Sequence, residues 1–119
     1  MTATLLLVDD DASFRALATD ILRELGVECI IEAETAAAAV DRAHVVRPHA
    51  ALVDVGLPDR DGIELARELA ALPWGPAIVL TSADRDAAVT MESDQDNAPP
   101  FIPKDELPNA PLRQMLRLD

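Results

Sequence analysis

LLLVDDDASFRALATDILREL, residues 5 to 25, carries in one run the two periodicities on which the fold turns. Leu5 to Val8 is an unbroken apolar run that stops at three aspartates, the pattern of a strand buried on both faces. From Ala12 the period changes. Phe14, Leu17, Ala18, Ile21, Leu22 and Leu25 recur at helical spacing, and Gly26 follows as a stop.

The same alternation continues along the chain. Val27 to Ile31 is short and β-branched, which predicts a second strand, and Thr35 can cap a helix carrying Ala39, Val40 and Ala43 that Arg47-Pro48 ends. Ala50 to Val53 is a third apolar run, closed by Asp54; Gly62 to Leu72 is helical up to Pro73; Ala77 to Leu80 is a fourth strand, closed by Thr81-Ser82. Asp84 to Asn97 is polar and predicts only a short or loose fourth helix. Phe101-Ile102 is a minimal fifth strand between prolines, with Lys104 beyond it. Pro111 to Leu118 predicts a last helix with Leu112, Met115, Leu116 and Leu118 on one face. Strands that are unbroken hydrophobic runs, alternating with helices, predict an α/β chain with a parallel sheet covered on both faces.

Composition limits the functions open to such a chain. Its 119 residues suit a single domain, residues 1–119, and half of them are hydrophobic. A formal net charge of −12 repels nucleic acid and anionic lipid, so direct nucleic-acid binding is not expected. The single cysteine, Cys29, excludes an internal disulfide, fits a reducing cytoplasm and reads as a small core residue. The start MTATLLLVDDDAS has no basic segment, and its apolar run is too short for a signal peptide or a membrane span.

In parallel sheets functional residues gather beyond the carboxyl ends of the strands. Here those ends are Asp9 and Asp10, Asp54, Thr81 and Lys104. Three clustered carboxylates repel one another, a conflict that a divalent cation such as Mg²⁺ removes through oxygen ligands. An aspartate so placed can accept a phosphoryl group as an acyl phosphate. Lys104 can supply a point charge and Thr81 a hydroxyl donor to the phosphoryl oxygens. Gly56, in the loop DVGLPDRDG from Asp54 to Gly62, leaves its carbonyl free to approach an ion. Taken singly, each has a plainer reading: Asp11 as a helix cap, Asp9 and Asp10 as solvated loop acids, Thr81 as a strand-end residue, Lys104 as a surface lysine. Their joint placement at strand ends is what points to chemistry.

These residues resemble the receiver domain of two-component response regulators. LLLVDDDASFR (Leu5–Arg15), LVDVGLPDRDG (Leu52–Gly62), IVLTSAD (Ile78–Asp84) and FIPK (Phe101–Lys104) carry the resemblance, which spans essentially the whole chain. The resemblance implies a flavodoxin-like, doubly wound sheet of five parallel strands in the order 2-1-3-4-5, with five helices. It implies Asp54 as phospho-acceptor, and Mg²⁺ held by Asp10 directly, Asp9 through water, the Asp54 carboxylate and the Gly56 carbonyl. It further implies Thr81 as switch hydroxyl, Lys104 as its companion cation and Phe101 as an aromatic that follows the hydroxyl; a plain core Phe is the alternative. A histidine kinase or histidine phosphotransfer protein would then supply the phosphoryl group, and a downstream protein or output domain would read it.

Two departures shape the expectation. The segment DQDNAPP (Asp94–Pro100) replaces the Gly-Ala pair usual before the fifth strand, and Asp105 follows Lys104 where proline is frequent. The input chemistry is therefore expected to be intact and the output surface unusual. Small residues at Gly56, Ser82 and Ala83 leave room for water, which predicts a short-lived phosphoryl state. Competing readings are a phosphorylation-independent binding module and a haloacid dehalogenase-like phosphatase using Asp9 and Asp11. The last would make the chain an enzyme; the main reading does not. The chain ends just past its last helical stretch, which fits either a stand-alone receiver or a piece of a longer protein.

Overall fold

The computed structural model describes residues 3–83 and 99–118. Five parallel strands form one sheet: β1 (Thr4–Val8), β2 (Cys29–Ala33), β3 (Ala50–Asp54), β4 (Ala77–Ser82) and β5 (Phe101–Pro103), in the order β2-β1-β3-β4-β5. That is the order the resemblance implied. The central strands are buried along their length because helices cover both faces, which is why their sequences are apolar without alternation.

Side chains of each strand nevertheless sort alternately to two cores. Leu5, Leu7, Ala50, Leu52, Ala77, Val79 and Ile102 meet Phe14, Ala18 and Leu22 of α1 (Ala12–Glu24) and the C-terminal Leu107, Leu112 and Leu116. Leu6, Val8, Ala51, Val53, Ile78 and Leu80 meet α2 (Ala36–Val46) and α3 (Gly62–Ala70) through Ala36, Ala39, Ala43, Leu65, Ala66 and Leu69. Each fully buried leucine contributes roughly 1.5–3 kcal/mol. The small alanines of α2 let that helix lie close to the sheet. By the same alternation Asp9, Asp54 and Thr81, one step beyond Val8, Val53 and Leu80, fall on the face that α1 covers.

The structure departs from the sequence-based bounds in several places. β2 begins at Cys29 rather than Val27, because Val27 drops into the core under α1 and its N–H donates back to the Leu22 carbonyl (3.1 Å). Cys29 on this edge strand is only half-buried rather than a core residue. Leu17 is 49% exposed, since Phe14, Ala18 and Leu22 at four-residue spacing take the centre of the α1 stripe. The last helix shrinks to one turn, α4 (Leu112–Met115), preceded by a 3₁₀ helix over Lys104–Asn109. Pro108 and Pro111 lack the donors a continuous α-helix needs there, and Arg117 in a left-handed conformation (φ 52°) ends it before Leu118. The expected loose fourth helix over residues 84–97 lies outside the described residues.

Candidate functional site

The register that aligns Val8 with Val53 and Asp54 with Thr81 brings the strand-end acids together. Carboxylate oxygens of Asp9, Asp10 and Asp54 all lie within 4.8 Å of one another. Asp9 is fully buried, Asp54 nearly so, and Asp10 is exposed. Asp9 Oδ1 accepts the Asp11 N–H (2.9 Å), and its Oδ2 faces the Lys104 ammonium at 2.7 Å. Lys104 Nζ also stands 3.7 Å from Asp54 Oδ2 and 4.4 Å from the centre of the Phe14 ring. One cation thus serves two buried acids and is itself seated on an aromatic face. Burial first, and Asp9 beside it second, push the Asp54 carboxyl above its ordinary range; Lys104 and the Gly56 N–H (3.3 Å) pull the other way without cancelling this.

Thr81 stands beside Asp54 in the β3–β4 register, and its Oγ1 is buried without a hydrogen-bond partner. A buried hydroxyl left unsatisfied is costly, and its place at the acid cluster marks it as a donor awaiting an acceptor. Phe101 is half-buried and packs on the α2/α3 core, on the opposite side of the sheet from the cluster.

Three contacts that sequence reasoning passed over, made by Gly62, Asp59 and Arg15, position these groups. Gly62 opens α3 directly against β3: a Cβ there would stand 2.0 Å from the Asp54 carbonyl oxygen and 2.7 Å from Val55 Cα. A glycine in the first helical position, where alanine has the higher propensity, was the available signal. Gly56 shows the reverse, since a Cβ there would meet nothing within 4 Å. Its lack of a side chain is therefore no steric requirement; its N–H, not bulk, ties it to Asp54. Asp59 reaches from the loop after β3 to the start of α2 and accepts the Ala36 and Ala37 N–H groups (2.9 and 3.1 Å), which holds its carboxyl below the ordinary range. Arg15 clamps the loop after β1, donating to the Asp9 carbonyl (2.7 Å) while pairing with Glu32 and Glu34 on β2 and just beyond it. Asp11 caps α1 by accepting from Ser13 and Phe14.

The donor set fits a hard divalent cation. It offers three carboxylates, one of them with a buried oxygen, Asp9 Oδ2, that has a counter-charge but no aligned hydrogen bond.

Comparison with known proteins agrees with this geometry. The sequence profile of the response regulator receiver domain matches residues 5–117. The chain belongs to that family. Chemotaxis protein CheY of Bacillus subtilis is 32% identical over 104 residues, spanning 87% of each protein. Transcriptional regulatory protein PdtaR of Mycobacterium tuberculosis is 38% identical over 77 residues, which is 65% of this chain and 38% of PdtaR. The chain thus spans most of one relative and well under half of another. Among solved structures, chemotaxis protein CheY4 of Vibrio cholerae superposes over the full length of both chains with a TM-score of 0.79 at 22% identity, a likeness of fold. As a receiver domain the chain is a two-component signalling module, whose family binds Mg²⁺ at an acidic cluster. No helix among the described residues is long and apolar enough to cross a membrane.

Proposed function

We propose that Asp54 accepts a phosphoryl group from a phosphohistidine of a histidine kinase or a histidine phosphotransfer protein, and that the receiver switches on this event. The observation that carries the reading is the buried Asp54 carboxylate, flanked by Asp9 and Asp10 within 4.8 Å and by the Lys104 ammonium at 3.7 Å. An Asp54 oxygen attacks phosphorus and forms an acyl phosphate, while the phosphorus–nitrogen bond to the donor imidazole breaks and the ring keeps the electron pair. Asp9, Asp10, Asp54 and the Gly56 carbonyl would hold Mg²⁺, which supplies charge neutralisation at the equatorial oxygens. Lys104 balances charge on the transferred group, and Thr81 Oγ1 gains in it the acceptor it lacks. Occupation of that hydroxyl biases an equilibrium between inactive and active arrangements, which a downstream protein or output domain reads.

The chain is a phospho-acceptor in this reading and not a turnover enzyme. Engagement of Asp11 as the cap of α1 supports this, because the phosphatase alternative needs that carboxyl as an acid. A cytoplasmic setting is supported by the free Cys29, and the formal charge of −12 argues against nucleic acid as a direct partner.

Incubation with Mg²⁺ and acetyl phosphate, followed by intact mass measurement, tests the proposal. Wild type should gain a phosphoryl adduct that Asp54→Asn lacks. An adduct kept by Asp54→Asn and lost in Asp9→Asn would transfer the role to Asp9 and favour the phosphatase. Wild type without an adduct would make this a phosphorylation-independent binding module.

A further inference from the structure

At the opposite edge of the sheet lies a pocket of about 290 Å³ lined by Arg47, His49, Trp74, Gly75 and Arg117. His49 precedes β3, Gly75 precedes β4 and Arg47 closes α2, so five-residue strands put this pocket about 16 Å from the acid cluster. We propose that it binds a compact organic anion through a phosphate or carboxylate group.

Three independent observations carry the inference. The first is charge. Arg15 and Arg60 each pair with two glutamates, yet neither Arg47 nor Arg117 has a carboxylate partner among the described residues, in a chain with 22 acids. Two guanidinium groups without a carboxylate partner among the described residues line one pocket, and each offers the planar, charged donors that a phosphate or a carboxylate takes.

The second is backbone. Arg47 (φ 47°) and Arg117 (φ 52°) both adopt the left-handed conformation that favours glycine. Arg47 does so at a helix end, where glycine is the usual choice, and directly before Pro48, which restricts it further. The left-handed backbone at Arg47 carries a conformational cost that the contact of its side chain with Trp74 can offset.

The third is preorganisation. Trp74 Nε1 donates to the Pro48 carbonyl (3.0 Å), its ring carries the Arg47 guanidinium at 5.3 Å, and the His44 ring meets it edge-on at 6.4 Å. His49 Nδ1 accepts the Thr4 N–H (3.0 Å), which leaves Nε2–H as a donor in the neutral ring. The volume is at the lower end for small-molecule sites and suits a phosphorylated sugar or a small polycarboxylate.

Trp74 is the only tryptophan of the chain, so its fluorescence reports on this pocket alone. Wild-type protein in Mg²⁺-free buffer is titrated with inorganic phosphate, ribose 5-phosphate and citrate, with sodium chloride at matched ionic strength as the control. At least one anion should give a saturable change with half-saturation at about 1 mM or below. Arg47→Gln and Arg117→Gln should each weaken it about tenfold or more. Response to the phosphates alone assigns a phosphate site, and response to citrate alone a carboxylate site. Arg47→Gly relieves the backbone, so it should melt no lower than wild type while losing saturation, which separates loss of the site from loss of the fold. A change that sodium chloride reproduces, or arginine variants that titrate like wild type, overturns the proposal.

Discussion

The two edges of the sheet handle charge in opposite ways. At the carboxyl edge, Asp9 and Asp54 are buried, share one lysine and are fixed by backbone groups. At the amino edge, Arg47, His49 and Arg117 are exposed around a half-buried indole, and the strain sits in the backbone instead. Buried like charges store electrostatic energy that a cation or a phosphoryl group can release, whereas exposed cations are solvated at little cost and only await a counter-charge. A parallel sheet makes this division possible, because all its strands end on one side and all begin on the other.

The sharpest way to break the contrast is to add one methyl group at the carboxyl edge. Gly62→Ala places a Cβ against the Asp54 carbonyl and Val55 Cα, which are backbone atoms with no easy escape. A loss of about 3 kcal/mol or more is expected, or roughly 10 °C in melting midpoint, together with loss of phospho-acceptance. Gly56→Ala, where a Cβ meets nothing, should stay within about 0.5 kcal/mol of wild type. Thermal melts of the two variants side by side check this; a Gly62→Ala protein as stable as Gly56→Ala would show that α3 is not seated on Asp54.

A smaller effect of opposite sign should follow from Asp54→Asn. Because burial and Asp9 raise the Asp54 carboxyl, the folded protein holds that proton to a higher pH than the unfolded chain does. Protonation therefore favours folding. The stability this group contributes is full below its unfolded value of 3.8 and is lost as pH rises through the higher folded value. At neutral pH the charged Asp54 is a burden that Asn removes, so the variant should melt above wild type at pH 7. Its advantage should fade as pH falls toward about 4. Melting midpoints of both proteins across this range report on Asp54 and the charges coupled to it, Asp9, Asp10 and Lys104, since titrations elsewhere are common to both. A gain that is flat with pH would mean the effect is not electrostatic.

Much of this division was legible in the sequence. Unbroken runs such as Leu5–Val8 and Ala50–Val53, alternating with helical stretches, read as strands covered on both faces, and an acid directly after each run then emerges at the same edge. What stayed hidden depends on contacts between segments distant in sequence. Gly62 lies against Asp54, Asp59 caps a helix 22 residues before it, and Arg15 reaches across to Glu32. None of these leaves a local periodicity. The end of the chain was misjudged for a local reason: four apolar residues at helical spacing predicted a helix through Leu118, but it stops at Met115 after one turn, and Arg117 beyond it is left-handed. The amino-edge pocket was invisible because Arg47, His49, Trp74 and Arg117 are unremarkable until the strands align them.

The smallest expected effect concerns how far the carboxyl edge extends its hold. Asp59 ties the loop that follows Asp54 to the first turn of α2, so any movement of the loop on phosphorylation must either drag α2 or break those two bonds. Asp59→Ala removes the tie and leaves every group of the acid cluster in place. The phosphoryl adduct should still form, while the Ala36 and Ala37 amides, which lose their acceptor, should exchange with solvent faster. Since the Asp59 carboxyl is held low by these amides, acidifying wild type should loosen the same two positions: its stabilisation is present above the unfolded value of 3.8 and is lost as pH falls through the lower folded one. Hydrogen exchange that is unchanged at Ala36 and Ala37 in the variant would confine the mechanical reach of Asp54 to its own loop and to β4, and α2 would then be a bystander to the switch.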